Sequence, residues 1–161
     1  MPGQGVPVSG YCPVMANEVT VDIEIDAPSS VVFDFVADYT NASSYMYGLE
    51  KLVALTDVTR GLGAKFEGTI KLGASLNSFL EVTEFEEGTK FTLASYKGIK
   101  NTSFWTLAPV SESQTRTVLR WEYDLGSGIT GRALGKIVEP FVKIAAAHSS
   151  KELKKAIEAS L

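Results

Sequence analysis

The stretch ITGRALGKIVEPFVKIAAAHSSKELKKAIEASL, Ile129 to Leu161, decides the fold. Wound as an α-helix, it gathers Leu134, Ile137, Val138, Phe141, Ala145 and His148 on one stripe, because side chains three or four apart share a face. Arg132, Lys136, Glu139, Lys143, Ser150 and Lys154 fall on the opposite side. At 1.5 Å per residue such a helix is about 48 Å long, more than most helices in a small domain. Pro140 removes the backbone bond to Lys136 and is expected to bend the helix there, wrapping it around its partner or supplying a hinge. The apolar stripe needs cover from the residues before it, and those read as strands.

Working back toward the N-terminus, six segments carry the apolar alternation or apolar runs of strands: Thr117–Leu125, Thr102–Ala108, Lys90–Tyr96, Leu76–Phe85, Ala64–Leu72 and Leu49–Val58. Gly- and Pro-containing turns separate them. A seventh strand comes first, with Val19, Val21, Ile23 and Ile25 alternating with Thr20, Asp22 and Glu24. Asp26-Ala-Pro-Ser-Ser then turns into a short helix, Val31–Ala37, with Ser29 or Ser30 as its cap. A second short helical or loop segment, Asp38–Gly48, carries Tyr39, Tyr45, Met46 and Tyr47. Connections this short force antiparallel pairing, since parallel strands need crossovers of a dozen or more residues. The expected architecture is α+β: one domain over residues 18–161, with a curved antiparallel sheet, two short helices after strand 1 and a long C-terminal helix. A single long helix on a curved sheet leaves a space between them. Residues 1–17, rich in Gly and Pro, are expected to form a disordered or loosely packed tail.

The composition narrows the function. The chain has 161 residues, 45% hydrophobic and 21% charged, with a formal net charge of −4. That suits one soluble globular domain. No run of Lys and Arg offers the clustered cations that a nucleic acid or an anionic membrane surface needs. No apolar run reaches the length of a membrane span, so no stable membrane insertion is expected. Cys12 is the only cysteine, which leaves no internal disulfide and points to a reducing cytoplasm. With one His and one Cys, no zinc-type ligand set can be assembled, and neither metal nor cofactor is expected.

Three stretches give the chain a resemblance. VDIEIDAPSSVVFDFVAD at Val21–Asp38, TLAPVSESQTRTVLRW at Thr106–Trp121 and ELKKAIE at Glu152–Glu158 resemble the Bet v 1-like (START/SRPBCC) superfamily. Within it they are most similar to the polyketide cyclase/dehydrase and lipid-transport family, whose members share the strand, Ala-Pro turn and Val-rich helix, the penultimate hairpin and the helix ending. The likeness covers residues 18–161, with Tyr45 standing where many members carry Trp. It implies the helix-grip fold, a seven-stranded antiparallel sheet wrapped around the long helix with a hydrophobic cavity between. It also implies a ligand among lipids, quinones, sterols, polyketides or hormones, and in some members cyclisation or dehydration inside that cavity.

The residues that would face such a cavity follow from the strand alternation and the helix stripe. The sheet would offer Phe66, Ile70, Val82, Leu93, Trp105, Trp121 and Tyr123. The helix would offer Leu134, Ile137, Phe141 and His148, and the segment after the first helix would offer Tyr45. Phe104 and Trp105 are both large and apolar, so the inward face of that strand is ambiguous. An apolar space with a few polar tips is what small-molecule sites look like, although the same side chains could simply fill a core.

Histidine is the side chain suited to general-base work at neutral pH, and His148 could take that role if oriented, with Glu152 one turn away. It could equally be a residue at the edge of the core. Gly126-Ser-Gly-Ile-Thr-Gly131 spells G-x-G-x-x-G, but no parallel strand follows it, so a glycine turn into the helix is the better reading. The free amides of that helix start could still hold an anionic ligand group.

The expected function is binding or transport of a hydrophobic small molecule by a monomer or homodimer. One alternative is a polyketide aromatase/cyclase or dehydratase using His148, Tyr123 or Tyr45 for proton transfer. Another is a protein-interaction module presenting the aromatics of Tyr39–Tyr47.

Overall fold

The computed structural model describes residues 17–161; the N-terminal tail before Asn17 and Cys12 within it lie outside the described residues. The chain order is β1 (Asn17–Ile25), α1 (Ser29–Ala37), a 3-10 turn (Tyr39–Ser44), β2 (Leu49–Ala54) and β3 (Lys65–Lys71). It continues with β4 (Ser75–Glu86), β5 (Lys90–Gly98), β6 (Lys100–Ser111), β7 (Gln114–Asp124) and α2 (Gly128–Ala159). All neighbouring strands pair antiparallel, in the order β1-β7-β6-β5-β4-β3-β2, so the sheet has seven strands with β1 and β2 at its edges. This is the helix-grip fold.

Alternation decides which side chains point in. Val19, Val21, Ile23 and Ile25 form the inward row of β1 while their neighbours are exposed. The ambiguity in β6 resolves the same way. Trp105 is buried, stacked on Phe91 at 5.8 Å, and Phe104 points outward beneath the Arg120 guanidinium at 4.0 Å. Irregular pairing between β4 and β5, at Phe79/Leu80 and Val82/Glu84, adds bend and twist to the sheet.

Two details differ from the sequence expectation. Neither Ser29 nor Ser30 caps α1. Pro28 takes that place, its φ near −61° already set for the turn, and its carbonyl accepts from Val31 N at 3.0 Å. The hairpin between β6 and β7 is tighter than expected, since the strands run to Ser111 and restart at Gln114. Pro109 stays in the pairing because an irregularity follows it, between Pro109 and Ser111. The glycines at the start of α2 behave as a turn. Gly126 and Gly128 hold φ of 97° and 83°, and Gly131 packs so tightly on the Gly126 carbonyl that no Cβ fits.

Helix α2 is 32 residues long and continues through Pro140. It packs on β1 and against both short helical segments. Its C-terminal half sinks Leu153 and Ile157 into a cluster with Ile25, Val32 and Phe33. Further up, Val138 and Val142 pack with Leu72, Leu76 and Tyr123. The inward line of α2 therefore runs through Val138, Val142, Ser149, Leu153 and Ile157. It lies less than one residue step, about 100°, to the side of the stripe read from the sequence. Ile137 and Ile144 are consequently 49% and 53% exposed.

Glu158 fastens the end of this helix to the start of the sheet. Its carboxylate accepts from Asp26 N at 2.8 Å and from Lys154 Nζ at 2.5 Å. The Lys154 bond first, and the Asp26 amide second, hold Glu158 below the ordinary carboxylate value. A lowered folded-state pKa means this contribution is present above about pH 4.5 and is lost as pH falls through the folded value. Urea unfolding midpoints should fall between about pH 6 and pH 3, and the fall should be smaller in Glu158→Gln; equal falls would show that the fastening is idle. The turn at Gly98 makes a second prediction. Gly98 has φ +85°, and a Cβ there would meet Ser78 Cα at 2.9 Å and the Asn77 carbonyl oxygen more closely still. Gly98→Ala should lower stability by about 2 kcal/mol or more, and Gly88→Ala, strained but facing open space, by about 1 kcal/mol, measured by thermal unfolding.

Candidate functional site

Between the sheet and α2 lies a cavity of about 210 Å³. One buried water needs only ~10–15 Å³, so this is not a packing flaw. Its position follows from side-chain size along α2. Bulky Val138, Leu153 and Ile157 hold the helix to its clusters, and Val142 both packs there and edges the space; the other helix residues that face it are Ala145, Ala146 and Ser149. Alanines and a serine do not reach across to the sheet. The segment after the 3-10 turn closes one side with Tyr45, Met46 and Tyr47. Tyr47 N donates to Ser149 Oγ at 2.9 Å, which ties that segment to the helix.

Seven of the residues expected at the site line the cavity: Tyr45, Phe66, Ile70, Val82, Leu93, Trp105 and Trp121. Five do not. Tyr123 stacks on Trp121 at 4.4 Å and is buried behind it with Leu72 and Val138. Leu134 and Phe141 pack against that same cluster, and Phe141 covers the turn at Gly73. Ile137 and His148 lie on the exposed side of the helix, a result of the rotated inward line. His148 sets its ring edge-on to Tyr47 at 5.3 Å.

Tyr45, Tyr123 and His148 are therefore not gathered at one point of the cavity. Tyr45 alone lines it, 5% exposed, and burial pushes its hydroxyl above the usual tyrosine value. Burial, and then the charge of Glu139, raises Tyr123 as well. The aromatics of Tyr39–Tyr47 do not form an outward patch, because the 3-10 turn rolls them inward. Tyr39 meets Phe66 at 5.2 Å and Tyr45 meets Trp105 at 6.3 Å.

Sequence reasoning set Ala145 on the inward stripe without naming it at the site, and missed the rest of the helix's own contribution, Ala146 and Ser149. The signal was the run IAAAHSS at Ile144–Ser150, small residues in the middle of an otherwise bulky helix. It also missed two polar side chains at inward strand positions, Ser78 and Asn101. Asn101 Nδ2 donates to Ser78 Oγ at 3.2 Å and to Ile99 O at 2.8 Å, and Asn101 Oδ1 accepts from Trp121 Nε1 at 3.3 Å. Thr117 Oγ1 is buried without a partner, beside a small void of about 10 Å³ that Tyr45 and Ser149 also line. Arg60 is the one charged side chain lining the main cavity among the described residues. It pairs with Asp34 at 3.0 Å and with Glu87, and lies over the rings of Phe33 and Phe85.

Solved structures share this architecture. The protein TTHA0849 from Thermus thermophilus is 22% identical with a TM-score of 0.74, covering 89% of this chain and 99% of its own. The Zhui aromatase/cyclase from Streptomyces sp. R1128 is 13% identical with a TM-score of 0.70, covering 88% of this chain and 93% of its own. A START superfamily protein from Mycobacterium smegmatis is 14% identical, also with a TM-score of 0.70, covering 89% and 99%. At these identities the likeness is one of fold. No curated protein matches the chain in sequence. The family model described as polyketide cyclase / dehydrase and lipid transport matches residues 16–158, and the chain belongs to that family.

Proposed function

We propose that the protein binds a hydrophobic small molecule, a lipid, quinone or polyketide-like compound, in the cavity between the sheet and α2, and carries or senses it. The observation behind this reading is an apolar space of about 210 Å³ kept open by Ala145, Ala146 and Ser149. Filling those positions with larger side chains would give a packed core, which normally stabilises a protein. Open space at that place is therefore a feature with a use. Each 100 Å² of apolar ligand surface that leaves water contributes about 2.5 kcal/mol before the entropy of association is subtracted. Such a site recognises shape and apolarity first and uses a few polar groups for orientation.

Membership in a family described as polyketide cyclase / dehydrase and lipid transport supports the same reading. A cyclase or dehydratase is the second reading, favoured by the enclosed hydroxyl of Tyr45. That hydroxyl is held protonated by burial, so it can donate a hydrogen bond to a carbonyl but is poorly suited to accept a proton. With His148 and Tyr123 outside the cavity, binding accounts for the site with fewer parts than catalysis does.

The test is to fill the space. Ala146→Leu should weaken binding of a neutral fluorescent probe, N-phenyl-1-naphthylamine, by at least about tenfold, while the thermal midpoint stays level or rises. Ala147→Leu, on the exposed side, should change neither. Equal probe affinity in wild type and Ala146→Leu would refute binding in this cavity. Mass spectra of the bound compound before and after incubation separate the two readings, since dehydration removes one water from the ligand and carriage leaves it unchanged.

A further inference from the structure

The polar wall of the cavity narrows the ligand. Ser78 on β4 and Asn101 on β6 are 8% and 7% exposed, buried at inward positions where apolar residues would be expected. The Gly98 turn holds them together. Ile99 N donates to Asn77 O at 3.0 Å, drawing the β5–β6 turn onto β4. Asn101 N also donates to Ser95 Oγ at 2.9 Å.

Within that frame both hydrogens of the Asn101 amide are used, on Ser78 Oγ and Ile99 O, and its oxygen takes the Trp121 indole on one of its two lone pairs. Ser78 Oγ is thus an acceptor toward Asn101. Its own O–H has no acceptor within hydrogen-bond distance among the described residues, and Ser78 lines the cavity. Ser103, one inward step further along β6, adds a second hydroxyl to the same wall. The wall presents hydrogen-bond donors without a charge.

The cavity's one cation sits toward the opposite end of β4. Arg60 lies by Phe85, seven residues along the strand from Ser78, a contour length of at most roughly 23 Å at 3.3 Å per residue. Its guanidinium is already paired with Asp34 and Glu87. A carboxylate brought to the Ser78 wall would lose its water and meet no counter-charge. A neutral carbonyl or hydroxyl oxygen would meet an aligned donor.

Resting on the binding function proposed above, we infer that the ligand is a neutral oxygenated molecule, a ketone, quinone, phenol or alcohol and not a free acid, whose oxygen accepts from Ser78 Oγ–H with Asn101 as the positioning residue.

Three probes of similar shape test this by calorimetric titration of the full chain: 2-methylnaphthalene, 2-methyl-1,4-naphthoquinone and 2-naphthoate. The quinone should bind at least about tenfold tighter than either of the others. Ser78→Ala should remove that advantage and leave 2-methylnaphthalene within about twofold, and Ser78→Thr should restore part of it. Equal affinity for the quinone and the hydrocarbon, or tighter binding of the naphthoate, overturns the assignment of ligand class while leaving cavity binding intact. Failure of all three probes to bind overturns the cavity reading and this inference with it. The comparison among probes on the wild-type chain needs no variant, so a destabilised Ser78→Ala cannot obscure the outcome.

Discussion

A rigid helix laid against a curved sheet can touch it only where side chains are long enough to bridge the gap. On α2 the bridging residues are Val138 and Val142 toward one end and Leu153 and Ile157 toward the other. Between them the helix presents Ala145, Ala146 and Ser149. Close packing at two places therefore sets the distance at the third, and the cavity is the consequence. The rest of the molecule serves that arrangement. Helix α1 supplies Val32 and Phe33 for the C-terminal cluster, and Glu158 fastens the helix end to Asp26 N. The Tyr47–Ser149 bond brings the aromatic segment over the cavity's open side.

The surface and the interior use polar groups differently. Outside, opposite charges face each other across the strands, as in Arg116 with Asp22 at 2.5 Å and Lys51 with Glu67 at 3.0 Å. These exposed pairs contribute little each, and the side chains of such pairs keep the outer face wet. Inside, the groups that line the cavity are neutral except Arg60, and the buried amide of Asn101 is satisfied by the protein itself. An interior of this kind favours uncharged guests, because any ion entering it leaves its solvation behind.

The order of elements along the chain, the antiparallel direction of consecutive strands and the inward rows of the sheet were legible in the sequence, because short connections and a period of two leave little freedom once one face is buried. The choice between Phe104 and Trp105 was not, since both are apolar and the contacts that separate them, Phe91 on Trp105 and Arg120 over Phe104, come from the neighbouring strands. The phase of α2 was misread for a related reason. The expected stripe took in Ile137 and His148, which lie on a side that the sheet does not cover. Partners at a distance fix the rotation of the helix, above all Phe33 and Tyr123, and a helix cannot announce them locally. The same habit of looking for large side chains hid the cavity residues of α2, which matter because they are small. Asn101 and Ser78 were hidden too, since their pairing joins strands that are not adjacent in the sheet.

The most direct measurement is methyl NMR of the chain carrying labelled alanine and isoleucine methyls, titrated with 2-methylnaphthalene. If the space between helix and sheet is the binding site, the Ala145 and Ala146 methyls shift and saturate together at one stoichiometric equivalent, while Ile137 and Ile144 on the outer face stay still. Shifts confined to Ile137 and Ile144, with Ala145 and Ala146 unmoved, would place the apolar ligand on the helix surface and contradict the account.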